Sequence, residues 1–99
     1  MAKMTRKYYS NTWTFTSNAA RILTDQPLLF TELDIQILTN DALMGDVNGQ
    51  SFELGAGDIV SYRNARGIDI RGFFFKNALA DSNIKVVVSG ITLEWILCR

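Results

Sequence analysis

The chain has 99 residues, of which 47% are apolar and 20% are charged, and its ten basic and ten acidic residues cancel. This composition predicts one globular domain with a core of ordinary size and excludes an intrinsically disordered chain. A chain without net charge has no long-range field to attract nucleic acid or an anionic membrane, so we expect neither as a partner.

The residue inventory also limits the chemistry. The chain contains no histidine, which is the commonest general base and transition-metal ligand, so serine–histidine, cysteine–histidine and histidine-ligated metal sites are excluded. Its single cysteine, Cys98, cannot form an intramolecular disulfide, and we interpret it as a small apolar filler. We expect no cofactor, no bound metal and no catalytic residue.

The first seven residues carry three basic side chains, Lys3, Arg6 and Lys7. We expect residues 1–7 to form an N-terminal arm, either solvated or reaching a neighbouring subunit, and residues 8–99 to form a single domain. The residues after the arm are too polar for the core of a signal peptide, and no apolar run is long enough for a membrane helix. We therefore expect the protein to be made in a cytoplasm.

From Tyr9 the sequence alternates. Tyr9, Trp13 and Phe15 share one face and polar residues share the other, which predicts a half-buried strand. Residues 18–23 predict a short second strand or a helical turn, and we favour the strand because Pro27 follows so soon.

The next strand has an almost entirely apolar face, made of Leu29, Thr31, Leu33, Ile35 and Ile37. Its other face is polar in the middle and begins with Phe30. Asn48-Gly49, the preferred pair for a two-residue hairpin turn, predicts two short strands around it.

Three apolar runs follow, at residues 59–62, 68–75 and 84–88, each preceded by turn-forming residues and each typical of a strand. The apolar residues of the last run, 91–97, are odd-numbered, whereas those of 84–88 are even. We favour a hairpin turn at Ser89-Gly90, and a glycine bulge in one continuous strand is the alternative. Together these elements predict an all-β, two-layer antiparallel β-sandwich, jelly-roll-like, with seven to nine short strands; a small barrel is also possible on this pattern.

The chemical motifs in the sequence are weak. Asp46 to Glu53 resembles the start of a calcium loop, but its glycine comes too early and strands flank it, so we interpret it as a hairpin. The glycines at 55 and 57 lack the lysine and helix of a phosphate loop. Nothing selects a catalytic pair among the carboxylates, and we interpret Glu32, Asp34, Asp58 and Asp69 as solvating groups.

The aromatic residues suggest two further interpretations. A sugar-stacking platform could use Tyr8, Tyr9, Trp13, Tyr62 and Trp95, although alternating aromatics are more typical of a core. The triple phenylalanine 73–75 places rings on both faces of one strand, which leaves apolar surface for association. The candidate interface residues are Lys3, Arg6, Lys7, Phe30, Phe73, Phe74, Phe75 and Ile96.

Between Pro27 and Ser89 the order of turns and strands resembles a known family. Leu54-x-x-Gly57-Asp58 precedes a strand, Ile68-Asp69-Ile70-Arg71-Gly72 follows a basic turn, and Ile84-Lys85-Val86-Val87-Val88 follows a small-residue loop. This arrangement is similar to the small β-sandwich virion structural proteins of tailed bacteriophages, of the capsid decoration or cement type. The triple phenylalanine and the extension from Ile91 to Arg99 depart from the pattern.

The resemblance implies a non-enzymatic virion protein that is made in the host cytoplasm and assembled into the virion. Its expected partners are other virion subunits, namely the major capsid protein or the tail and neck proteins, and further copies of itself. A tail, neck or baseplate subunit is the alternative within that class. A small carbohydrate-binding module is the alternative from another class.

Overall fold

The computed structural model describes the backbone of residues 2–97 and the side chains of residues 5–93. The strands are β1 (Ala2–Phe15), β2 (Leu29–Thr39), β3 (Ala42–Asp46), β4 (Gly49–Leu54), β5 (Ile59–Asp69), β6 (Phe74–Asn77) and β7 (Ile84–Leu97), and a 3-10 helix (Ile70–Gly72) joins β5 to β6. They form a four-stranded sheet in the order β1-β7-β2-β5 and a three-stranded sheet in the order β4-β3-β6. All described strand pairs are antiparallel. The predicted all-β sandwich is confirmed.

The strand order is that of a jelly roll whose second strand is reduced to a single bridge. Arg21 makes this bridge with the edge strand β6: its amide donates to the Phe75 carbonyl at 2.9 Å, and the Phe75 amide donates back at 2.8 Å. The prediction of a regular short strand at residues 18–23 is therefore wrong, since only the bridge at Arg21 forms. The chain between Phe15 and Leu29 is a loop that covers one edge of the smaller sheet.

The expected arm is instead part of the first strand. From Ala2 onward β1 pairs with β7 residue for residue, beginning with Ala2 opposite Leu97 and ending with Phe15 opposite Ile84. Residue 1 lies outside the described residues. The alternation seen from Tyr9 is confirmed, because Tyr9, Trp13 and Phe15 pack against the core while the intervening residues are exposed.

A bulge in β2 changes which residues face the core. Phe30 lies opposite Thr92 of β7 but Glu32 lies opposite Ile91, so Thr31 is an extra residue with no partner of its own in this ladder. The side chains before and after the bulge therefore alternate in opposite phase. Phe30 turns inward and is completely buried, while Leu29 faces outward and is 36% exposed.

Strand β7 runs unbroken from Ile84 to Leu97, so the hairpin favoured at Ser89-Gly90 is wrong. Gly90 lies within the strand, opposite Leu33 of β2 and next to the bulge. The continuous-strand alternative is the one observed, with the extra residue in β2 rather than in β7.

The core lies between the two sheets. Alternate residues of β2 and β7 point inward and meet side chains of β3, β4 and β6, which is how a sandwich buries one face of each sheet. The completely buried side chains of the larger sheet include Leu33, Ile35, Ile37, Ile84, Val86 and Val88, and Phe75 is completely buried on the smaller one.

Candidate interaction surface

Two of the predicted interface residues belong to the core. Phe30 is 0% exposed because the bulge at Thr31 turns it inward, where its ring meets the Tyr9 ring edge-on with centroids 5.5 Å apart. Phe75 is also 0% exposed, since it lies opposite Met44 on the inner face of β6. Neither contributes to the surface, so both assignments were wrong.

The other predicted interface residues have mixed surroundings. Phe73 is half-buried and stacks at an angle on Tyr62, with centroids 5.3 Å apart, and Phe74 is half-buried on the opposite face of the strand from Phe75. Arg6 and Lys7 are exposed. Lys3 and Ile96 lie opposite each other in β1 and β7, but their side chains are outside the described residues.

Two exposed apolar side chains lie on the hairpin formed by β3 and β4. Val47 is at its tip and is 71% exposed, and Phe52 on β4 is 52% exposed. We call these two residues the hairpin patch. Phe52 is paired with the buried Met44, but β4 is the edge strand of its sheet and leaves the ring accessible.

Hydrogen bonds fix the hairpin in its observed shape. The Asp46 carboxylate accepts from the amides of Asn48 and Gly49 at 2.8 and 3.2 Å, and the Gln50 side chain donates to the Asp46 carbonyl at 2.7 Å. A Cβ on Gly45 would lie 2.0 Å from the Gly49 carbonyl oxygen, so glycine is what lets the two strands approach here. The predicted hairpin is present, but its two turn residues are Val47 and Asn48 rather than Asn48 and Gly49, so the ordered turn itself presents Val47.

The sequence contained one signal for this patch that our interpretation did not use. Val47 lies between two turn-forming residues, Asp46 and Asn48, where its own hairpin cannot bury it. Phe52 has no such signal, because alternation alone cannot show that β4 is an edge strand. Other large apolar residues are also exposed, namely Tyr8, Leu29, Leu38, Ile59 and Leu79.

Two of the carboxylates considered for catalysis interact with neighbouring strands. Glu32 pairs with Arg63 at 3.2 Å, and Asp34 accepts from the Ser61 hydroxyl at 2.6 Å. Both pairs lie on the outer face of the larger sheet, between directly opposed residues of β2 and β5. These contacts link the two strands across their exposed face.

The other two carboxylates stabilise turns. Asp58 accepts from the Gly55 amide at 2.8 Å, and Asp69 accepts from the Arg71 amide at 2.9 Å where the 3-10 helix begins. The hydrogen bond from the Arg71 guanidinium lowers the pKa of the Asp69 carboxyl below its ordinary value and raises the pKa of Arg71.

The described aromatic side chains do not form one platform for a sugar. Tyr9, Trp13 and Tyr62 are half-buried against the core, whereas Tyr8 is 70% exposed on the opposite face of β1. The Trp95 side chain lies outside the described residues.

Within the part of the chain that the structure describes, histidine, cysteine and acidic residues form no group of three or more suited to a metal ion. Across the same residues, no helix combines the length and apolarity needed to cross a membrane. Comparisons of the chain with protein-family models, with curated proteins and with solved structures find no match.

Proposed function

We propose that this protein is a non-enzymatic structural subunit of a phage virion that decorates the capsid and docks on it through the hairpin patch. The observation that carries the proposal is the ordered presentation of two large apolar side chains, Val47 and Phe52, on one exposed hairpin. The virion setting comes from the resemblance between Pro27 and Ser89 to small β-sandwich virion proteins.

The energy available from the patch suits repeated docking on a large particle. Complete burial of a valine or phenylalanine contributes roughly 1.5–3 kcal/mol, and these two side chains are 71% and 52% exposed. Covering what is exposed would contribute about 2–4 kcal/mol, or roughly a hundredfold in affinity. Such a patch binds more tightly when copies on neighbouring sites are joined to one another, because the second contact is then intramolecular.

The hairpin also limits the entropy lost on docking. Asp46 and Gln50 hold the turn by hydrogen bonds before any partner binds. A preorganised loop loses less conformational freedom on binding than a flexible one, so more of the burial energy appears as affinity.

The experiment has two steps. Phage particles induced from a strain that carries the gene are banded by density, separated into heads and tails, and searched for this chain by mass spectrometry. We expect the chain on heads. Its absence from both fractions would contradict a virion role, and its presence only on tails would contradict capsid decoration in favour of a tail, neck or baseplate subunit.

The second step tests the hairpin patch itself. Heads lacking the protein are mixed with purified wild-type chain or with a Val47→Ser/Phe52→Ser double variant, and bound protein is measured by co-sedimentation. We expect the double variant to bind roughly a hundredfold more weakly while its thermal unfolding stays close to wild type. Glu53→Ser, an exposed polar change on the same strand, is the matched control and should bind normally. Equal binding by all three proteins would contradict docking through the patch.

A further inference from the structure

The free edge of the larger sheet is a long, regular strand. β1 lies at the end of the order β1-β7-β2-β5, and its fourteen residues pair with β7 in a single register without a bulge. No charged residue and no proline occurs from Tyr8 to Ala20. Edge strands usually carry charges, prolines or bulges that prevent pairing with another chain, and this segment carries none of them.

The opposite edge of the same sheet shows the protection that β1 lacks beyond Lys7. β5 leaves its register between Arg63 and Ile68, and the intervening residues include a second exposed basic side chain, Arg66. A regular partner strand could not follow that edge. The contrast identifies β1 as the edge of this sheet on which a strand can be added.

A hydrogen bond within β1 indicates which backbone groups are turned away from β7. The Thr12 amide donates to the Asn11 side chain of its own strand, at 2.8 Å. Alternate residues of an antiparallel strand direct their amides and carbonyls to the same side, so those of Tyr8, Ser10, Thr12 and Thr14 point to the free edge. The side chains of these four residues are exposed on the outer face of the sheet.

We propose that two copies of this chain pair through the outer edges of β1, antiparallel about a two-fold axis at Ser10, and so join their larger sheets into one continuous sheet. This arrangement deepens the proposed function, on which it rests for its biological setting, by naming a second copy as a partner. It places Tyr8 opposite Thr12 and Arg6 opposite Thr14 of the other copy, which are aromatic–threonine and polar pairs found across natural strands.

Charge repulsion disfavours an axis close to the basic end of β1. An axis at Tyr8 would give the longest overlap, but it would bring the two copies of Lys7 to about 7 Å along the strands, within the screening length of physiological salt. An axis at Ser10 separates the two Lys7 residues by about 20 Å and the two Arg6 residues by about 27 Å, where screening removes most of the repulsion. The basic end of β1 therefore limits the register to axes on its C-terminal side.

The register is tested by cross-linking. In a Cys98→Ser background, Ser10→Cys places two thiols at the axis, where opposed residues are close enough for a disulfide. We expect mild oxidation to give a covalent dimer of this variant. Thr14→Cys is the matched control on the same strand and face, and it should form no covalent dimer because its two thiols are about 27 Å apart in the pair. Cross-linking through Thr14 and not through Ser10 would overturn the register.

The pairing itself is tested by light scattering on the wild-type chain and on Ser10→Pro. Proline at position 10 removes a backbone donor that points to the free edge. An isolated edge strand tolerates this loss, but a second strand paired there would lose a hydrogen bond. We expect the wild type to show twice the monomer mass and Ser10→Pro to dissociate about tenfold more readily or more, with an unchanged far-ultraviolet spectrum. A monomeric wild type at the highest soluble concentration, or a Ser10→Pro dimer as tight as wild type, would overturn the inference.

The test separates this inference from the capsid proposal. The hairpin double variant Val47→Ser/Phe52→Ser leaves β1 intact and should dimerise like wild type. Loss of head binding with dimerisation retained would support both proposals. Dimerisation by a chain that is absent from virions would support the edge pairing and contradict the proposed function alone.

Discussion

Replacing Gly90 by alanine tests the closest backbone approach in the larger sheet. Gly90 has a φ of 151°, and a Cβ at this position would lie 1.9 Å from the Glu32 carbonyl oxygen and 2.8 Å from the carbon of that carbonyl. It would also lie 3.2 Å from the Cα of Leu33. All three atoms belong to the backbone of the adjacent strand, so no side chain can rotate to relieve the clash. Either β2 or β7 must move.

The expected cost has two parts. A non-glycine residue held at this φ costs about 1–3 kcal/mol, and forcing extra volume into a packed sheet costs about 1–3 kcal/mol more. Together they predict a loss of about 2–6 kcal/mol, out of a total stability that is typically 5–15 kcal/mol. For a domain of this size, the lower limit corresponds to a fall in Tm of about 10 °C.

Urea and thermal unfolding followed by circular dichroism measure this loss. The matched control is Gly72→Ala, because a Cβ on Gly72 meets no atom within 4 Å and its φ is not positive. We expect the control to unfold close to wild type. A Gly90→Ala variant within about 0.5 kcal/mol of wild type would refute the close approach of β2 to β7.

Three further variants test a core phenylalanine, the buried side chain of Asn77 and the ion pair between Asp69 and Arg71. Phe75→Ala should lower the unfolding free energy by about 3–5 kcal/mol in urea titrations, whereas Phe52→Ala should change it by less than about 1 kcal/mol, and equal losses would contradict the burial assigned to the two rings. Asn77→Ala should cost about 1–3 kcal/mol by the same measurement, because its side chain is 6% exposed and accepts from a loop amide that would lose its partner, and an unchanged midpoint would count against this contact. The pKa of Asp69 is lowered in the fold, so its pair with Arg71 stabilises the protein at a pH above the ordinary value of 3.8 and stabilises it less as the pH falls below that value. The small difference in unfolding free energy between wild type and Arg71→Gln should therefore shrink on acidification. A difference that grows at low pH would contradict the direction of this pKa shift.

Sequence periodicity predicted the strands whose faces are set locally. The alternation of Tyr9, Trp13 and Phe15 with polar residues follows directly from the two-residue repeat of a strand, and Asn48-Gly49 encodes its own turn. Both features depend on nearest neighbours along the chain. The alternation is present in the structure, and the hairpin forms with its two turn residues one position earlier, at Val47 and Asn48.

The bulge at Thr31 had no comparable signal. Leu29 and Phe30 are both apolar, so the sequence does not show which of them faces inward when one extra residue changes the phase. The outcome depends on the register between β2 and β7, which are far apart in the sequence. For the same reason the phase change near Gly90 was compatible with a hairpin or with a continuous strand.

The location of the exposed apolar surface was also set by tertiary structure. The strand patterns placed large apolar residues on both faces, and we interpreted the triple phenylalanine as the surplus that one sandwich would not bury. In the fold Phe75 enters the core and Phe73 packs on Tyr62, while Val47 and Phe52 are the side chains left accessible on an ordered hairpin. Edge position explains the difference, since β6 is covered by the bridge from Arg21 whereas β4 has no neighbour on its outer side among the described residues.

The two proposed contacts use different physical properties of the same sandwich. The hairpin patch offers apolar area on a preorganised turn, and its affinity should change little with salt. The β1 edge offers backbone hydrogen bonds in a register limited by Arg6 and Lys7, so dimerisation should strengthen as salt screens the residual repulsion between the basic ends. Raising the salt concentration should therefore leave head binding nearly constant and tighten the dimer. A dimer that weakens steeply with salt would indicate attraction between opposite charges, which the Ser10 register does not contain.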